Sequence, residues 1–284
     1  MRIRTENSNF LIFAVFALHD AGDSMVDMPN SDPTTRRPVT ACILIIGNEI
    51  LSGRTQDTNL NHLARVLGDW GIQIREARVI PDIDTVIIDT VRTIRSQYDY
   101  IFTTGGIGPT HDDITAECMA RAFDVPLVQN EAIAARIRVR PAPPDVMASR
   151  LRMAQIPEGA VLIDNPTGGP QGFRIGNVHV MAGIPSIMQA MLSSLEHELE
   201  HGDIVRSCSV TAYLGESQIA AAFSAVQQRY PDFDLGSYPF FRDNKYGTNL
   251  VIRGVDENRM ATALEEVKAV IVAAGGAPEN IVFE

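Results

Sequence analysis

The sequence predicts an α/β protein with a doubly wound, mostly parallel sheet, followed by a smaller C-terminal α+β unit. Three observations carry this. Strand-length apolar runs alternate with helix-period stripes from Thr40 to Phe123, the spacing of βαβ units. Glycine turns at Gly47 and Gly105 follow directly on two of those runs, at the carboxyl edge where such sheets bind ligands. From about Ile204 the order changes to a strand, a helix, two strands and a last helix. A length of 284 residues suits two domains, and the expected division is 1–37, 38–203 and 204–284.

Residues 1–37 stand apart. Phe10 to Leu18 is an apolar run behind Arg2 and Arg4, too short to span a bilayer. Glu6 precedes it and no small-x-small cleavage site follows, so a secretory signal fits poorly. The reading is a disordered extension or a start upstream of the true one at Met25 or Met28, with Asp27 to Pro38 as linker.

Thr40 to Ile46 is the first buried strand. Leu60, Leu63, Leu67 and Trp70 mark the first helix, which ends at Gly71. Ile72 to Ile80 is the second strand, and Ile87, Val91 and Ile94 mark the second helix. Tyr100 to Thr103 is a third strand, followed by the turn Gly105, Gly106, Gly108 and a helix with the stripe Ile114, Cys118, Ala122. Arg140 to Pro144 breaks a helix and opens an irregular segment. Asn165 to Gly172 is a second glycine-rich loop, leading to a hairpin and a helix over Ser186 to Glu200.

The glycine turn carries the chemistry. Glycines let the backbone approach a ligand, and a helix beginning just beyond them presents its N–H groups and positive dipole end to an anion. Thr110 and Asp113 have capping-box spacing, with Asp in place of Glu or Gln. Asp112 and Asp113 put two carboxylates where phosphate would sit, which repels the ligand unless a divalent cation such as magnesium lies between. The plainer alternative is a glycine turn with Asp113 as a helix cap. Glu49, in the same rim, reads as a metal ligand or a solvated turn residue. Asp57 reads as a helix cap, and Asn59 as a ligand-binding or second capping residue.

Thr104 to Thr115, TGGIGPTHDDIT, resembles the signature of the MoaB/Mog molybdopterin-binding fold, in the version of CinA-type (competence/damage-inducible protein A) proteins. Ile46 to Leu60, IGNEILSGRTQDTNL, resembles that family's other site segment. The resemblance runs from about Thr40 to the C-terminus. It implies catalytic roles for Asp112, Asp113 and Thr115, and a divalent metal on Glu49, Asp57 and Asp112. It implies phosphate or substrate binding by Gly47, Asn59, Gly105, Gly106, Gly108 and Thr110, with Asn165, Gly168 and Gly169 closing over the phosphate and Pro185 and Ser186 from a third segment. That segment, Ala182 to Ser186, departs from the family's Pro-Gly-Val-Pro: Ala182 replaces the first proline, and Ile187 stands where many relatives carry Glu. The C-terminal unit resembles the KH-like domain of CinA-type proteins. The nicotinamide-mononucleotide amidohydrolase domain that such proteins often carry is not expected here, since the chain stops at Glu284.

Several classes are disfavoured. A net charge of −11 argues against nonspecific nucleic-acid or membrane-surface binding. The C-terminal unit has no Gly-x-x-Gly clamp and seven basic against ten acidic residues over 206–284, so no nucleic-acid partner is expected. Cys42, Cys118 and Cys208 match neither a disulfide framework nor a zinc pattern and suggest a reducing cytoplasm. His197 to His201 fits H-E-x-x-H, but at a helix end without a third ligand it reads as a chance match. Met181, Met188 and Met191 read as core filler. The expected function is metal-dependent hydrolysis of an adenosine-diphosphate-type phosphoanhydride such as ADP-ribose, by a homo-oligomer. The alternatives are molybdopterin binding or adenylyl transfer, with a pterin diphosphate as ligand, and a noncatalytic ligand-binding protein.

Overall fold

The computed structural model describes residues 37–242 and 244–284. The run Phe10 to Leu18, and nearly all of the 1–37 extension, lie outside the described residues. The N-terminal α/β unit contains β1 (Val39–Ile46), α1 (Asn48–Leu51), α2 (Asn59–Asp69), β2 (Ile72–Ile80), α3 (Asp84–Ile94), β3 (Tyr100–Thr104), α4 (Thr115–Ala122), β4 (Leu127–Gln129), α5 (Glu131–Arg138), α6 (Pro144–Arg152), β5 (Gln155–Pro157), β6 (Val161–Ile163), β7 (Gly172–Ile175), β8 (Val178–Met181) and α7 (Pro185–Ser194). Its main sheet has the order β2-β1-β3-β8-β7-β6. The first four strands in that order are parallel, and β7 and β6 add an antiparallel edge.

The continuous apolar run of β1 follows from burial on both faces. Cys42, Leu44 and Ile46 face a core shared with α3 and α4, while Ala41, Ile43 and Ile45 face a second core shared with α2 and α7. Helices on both faces and parallel central strands make this the doubly wound α/β class. β4 and β5 form a separate two-stranded sheet that, with α5 and α6, is inserted between α4 and β6.

The C-terminal unit contains β9 (Arg206–Ala212), α8 (Glu216–Arg229), β10 (Asp234–Arg242), β11 (Lys245–Gly254), α9 (Glu257–Ala273) and β12 (Glu279–Phe283). Its antiparallel sheet runs β10-β11-β9-β12, and α8 and α9 bury Ile219, Phe223, Leu264 and Ile271 against Cys208, Val210 and Leu250. Among the described residues, no helix is long and apolar enough to cross a membrane.

Four local expectations need correction. The helix after the glycine turn begins at Thr115, not directly beyond Gly108, because residues 109–114 form turns first. The segment after Arg140 is not irregular: Pro144 opens α6 at the first helical position, where its missing N–H costs nothing. The last helix of the α/β unit starts one residue early, at Pro185, and ends at Ser194 rather than Glu200. His197 and His201 therefore lie in the turns beyond it, where His201 stacks on Trp70 and its Nε2 lies 2.9 Å from the Glu196 carbonyl. The short α1 and the edge strand β12 were not foreseen.

Candidate functional site

The carboxyl ends of β1, β3 and β8 converge on one rim. At the end of β3, Gly105 takes φ +104° and its N–H donates to the Met181 carbonyl at 3.2 Å. A Cβ there would lie 2.1 Å from the Ile46 carbonyl oxygen, so only glycine lets β3 pass the end of β1. Gly106 takes φ +68°, and a Cβ on it would lie 2.1 Å from Thr115 Oγ1. Thr115 is fully buried, donating its hydroxyl to the Gly105 carbonyl at 3.1 Å and its N–H to the Gly106 carbonyl at 3.0 Å. The resemblance implies a catalytic role for Thr115; here its hydroxyl and its N–H both donate to the turn.

Among the described residues, the backbone N–H groups of Gly106, Ile107 and Gly108 have no acceptor. Successive unpaired N–H groups in a positive-φ turn form a cradle for an anion. Asp113 closes the turn beside it. Its Oδ2 accepts from the Thr110 N–H at 2.8 Å and the Thr110 hydroxyl at 2.5 Å, while the Asp113 N–H returns to the Thr110 carbonyl at 3.3 Å. Asp113 thus caps the Thr110 turn and not α4, whose N-cap is Ile114, since the helix starts too late for that carboxylate. Asp112 is exposed, with His111 Nδ1 4.0 Å from its Oδ1. The nearness of the Thr110 hydroxyl, its own backbone N–H, and the charges of His111 and Arg152 hold its carboxyl below the ordinary range.

At the end of β1, the Gly47 N–H donates to the Ile80 carbonyl at 3.1 Å and the Asn48 N–H to Asp82 Oδ2 at 2.8 Å. Glu49 folds back so far that a Cβ on Gly47 would lie 2.6 Å from its carboxylate. Asp57, one residue before the N-cap Thr58, accepts from the N–H groups of Asn59 and Leu60 at 3.1 and 3.2 Å and so holds the first turn of α2. The expected metal set is not assembled. Among the described residues, no three His, Cys, Asp or Glu side chains are close enough to hold one ion, because Asp57 serves the helix, Glu49 lies on its own turn and Asp112 points to solvent. These residues do not form a metal cage.

Asn59 is buried and bridges the rim: its Nδ2 donates to the Gly183 carbonyl at 2.8 Å, and its Oδ1 is buried without a partner. Gly183 lies against Gly105, and Pro185 and Ser186 follow, exposed, at the start of α7. Asn165 is buried in the second glycine-rich loop. Its amide is occupied within its own loop, donating to the Pro170 carbonyl at 2.7 Å and accepting from Thr167 N–H and Oγ1 at 3.1 and 2.6 Å. Gly168 turns at φ +75°, and Gly169 lies over Ile187 of α7.

Beside the turn, from Pro109 onward, a cavity of about 800 Å³ opens between α5, α6 and the Asn165–Gln171 loop. It is walled by Ile133, Ile137 and Met153 and carries Arg136, Arg140 and Arg150. Sequence reasoning missed these arginines and Asp82. The available signal was a run of alternating arginines from Arg136 to Arg140.

Comparison with known proteins fits this geometry. Residues 42–201 match the family model described as “Probable molybdopterin binding domain”. Residues 204–275 match the FAD synthase middle domain, in place of the KH-like unit expected from the sequence. The chain is similar to a “CinA-like protein” of Syntrophotalea carbinolica, 32% identical over 186 residues, covering 62% of this chain and 45% of that one. It is also similar to a “Probable FAD synthase” of Caenorhabditis briggsae, 27% identical over 259 residues, covering 82% and 50%. The chain thus spans about half the length of these two relatives or less. The crystal structure of “the protein CinA with unknown function” from Thermoplasma acidophilum superposes with a TM-score of 0.51 at 32% identity, over 56% of this chain and 96% of that one. The rim that gathers Gly47, Asn59, Gly105 and Gly183 lies within the matched residues, and the chain belongs to the molybdopterin-binding-domain family, with CinA-like relatives.

Proposed function

We propose that the rim binds the diphosphate of an adenosine-diphosphate-type compound and hydrolyses its phosphoanhydride. The observation that supports this best is the set of unpaired N–H groups on Gly106, Ile107 and Gly108 at the carboxyl end of β3. They supply preorganised donors to phosphoryl oxygens as charge builds in an in-line displacement. Asp112, held ionised, is the carboxylate available to orient the attacking water. Thr115, Asp113 and Thr110 hold the turn, and Asn59 holds Gly183 beside it. The likeness of residues 204–275 to the FAD synthase middle domain makes FAD, itself such an anhydride, a substrate to test beside ADP-ribose.

A second reading, molybdopterin binding or adenylyl transfer, draws on the family match over 42–201. The purified chain is assayed for release of AMP from ADP-ribose, FAD and adenylated molybdopterin, and of adenosine 3′,5′-bisphosphate from CoA, with and without added magnesium. Turnover of ADP-ribose, FAD and CoA supports hydrolysis, and turnover of adenylated molybdopterin alone supports the second reading. Tight binding without turnover of any of the four would overturn hydrolysis and adenylyl transfer in favour of a noncatalytic ligand-binding protein.

A further inference from the structure

Several arginines elsewhere in the structure stand against carboxylates, among them Arg92 on Asp124, Arg121 on Asp84, Arg229 on Glu266 and Arg259 on Asp232, each within 2.8 Å. The cavity beside Pro109 gathers three that do not. Arg136, Arg140 and Arg150 line one space, and among the described residues none of them pairs with a carboxylate. Two are held by neutral groups. Arg136 Nη1 donates to Oε1 of the buried Gln171 at 3.0 Å, and Gln171 is itself fixed by donating to the Ile163 carbonyl. Arg150 Nη1 donates to the Arg140 carbonyl at 3.2 Å. The Arg140 guanidinium has no described partner. Asp164, which also lines the cavity, pairs with none of the three.

Hydrogen bonds to amides and carbonyls orient a guanidinium without neutralising it. Three like charges around one space repel each other, and in a chain of net charge −11 acidic partners are plentiful. Their absence here leaves positive potential for a ligand to meet. The apolar wall of Ile133, Ile137 and Met153 adds room for part of an organic molecule, and about 800 Å³ is far more than a lone inorganic ion fills.

We propose that this cavity is a second anion subsite, taking a phosphate monoester carried by the ligand away from the diphosphate at Gly106–Gly108. The proposal deepens the phosphoanhydride reading and rests on it for the position of the diphosphate. The substrate class is then a nucleotide anhydride with an additional phosphate on its ribose. Planar guanidinium forks bind phosphate in bidentate fashion, and Arg140, without a partner of its own, is the strongest contributor.

Calorimetry on the full chain tests this, comparing ADP-ribose with its 2′-phosphate and dephospho-CoA with CoA, at low and high salt. At least one phosphorylated member binds tighter by about tenfold or more at low salt, the scale of one charge-assisted contact. Arg140→Gln removes most of that preference while leaving the unphosphorylated member within about twofold, since charge is lost only at the monoester. The triple variant Arg136→Gln, Arg140→Gln, Arg150→Gln abolishes the preference. Adenosine 2′-phosphate and adenosine 3′-phosphate alone provide a separate arm, and one of them binds in an Arg140-dependent way whether or not any anhydride is turned over. A preference that persists without hydrolysis refutes the hydrolase reading and leaves the subsite standing. Equal affinity within both pairs, with neither monophosphate sensitive to Arg140→Gln, overturns the subsite.

Discussion

Asn59 Nδ2 donates to the Gly183 carbonyl at 2.8 Å, tying the first turn of α2 to the loop between β8 and α7 across 124 positions of sequence. Asn59→Ala removes the donor that holds the Gly183 carbonyl, and is expected to cost about 0.5–1.5 kcal/mol in urea denaturation. The Oδ1 of Asn59 is buried and unpartnered, so Asn59→Asp places a carboxylate where one oxygen must face the Gly183 carbonyl. Asn59→Asp should be the more damaging of the two, and equal midpoints would contradict the bridge.

Thr115 is the second test of the turn. Thr115→Val keeps the shape and removes the hydroxyl that bonds the Gly105 carbonyl, so stability should fall by about 1–3 kcal/mol. Thr115→Ser should recover most of that. Gly106→Ala forces a side chain at φ +68° into Thr115 Oγ1 and should be worse than either. Thermal melts of the three variants rank them, and a mild Gly106→Ala would refute the packing described.

The adjacent carboxylates separate by role. Asp112→Asn should leave the melting temperature unchanged, because Asp112 is exposed, and lower anhydride turnover by about a hundredfold. Asp113→Asn can still accept from Thr110 and should retain most activity with a small loss of stability. If Asp113→Asn loses turnover and Asp112→Asn does not, the roles are reversed.

His179, on β8, is buried beside Tyr100 and Phe102 with neither ring nitrogen hydrogen-bonded, and burial with the nearby Arg174 charge lowers its pKa to about 4. The unfolded imidazole takes a proton near pH 6.5, so between those values the unfolded state binds more protons. Stability should therefore hold above pH 6.5 and decline as pH falls toward 4, by up to about 3 kcal/mol. His179→Phe should flatten that slope, and an unchanged slope in urea melts at pH 7, 5.5 and 4.5 would assign it elsewhere.

Much of the fold was legible because burial on both faces writes itself into the sequence. β1 reads as an unbroken apolar run, and α2 reads as a stripe from Leu60 to Trp70. Composition near prolines misled: RPAPP suggested irregularity, yet Pro144 starts a helix. The glycines of the rim were legible because positive φ and close backbone approach exclude other residues. The uses of the polar side chains were not, since Asp113, Asn165 and Thr115 serve the backbone around them, and spacing alone does not separate a ligand contact from a turn contact. The cavity arginines come from α5, α6 and the segment between them, and only packing brings them together.

Where the α/β unit ends, the Glu200 N–H donates to the Tyr100 hydroxyl at 2.8 Å and the Gly202 N–H to the Trp70 carbonyl at 3.1 Å. Gly71 and Gly202 meet so closely that a Cβ on either would strike the other's backbone. Tyr100 and Val39 begin their strands, so this anchorage lies at the amino edge of the sheet, a strand length of about 20 Å from the rim of glycine turns. The chain beyond residue 202 thus continues from the edge opposite the glycine turns. A chain segment joined at the amino edge leaves the carboxyl edge and its glycine turns uncovered by the junction itself.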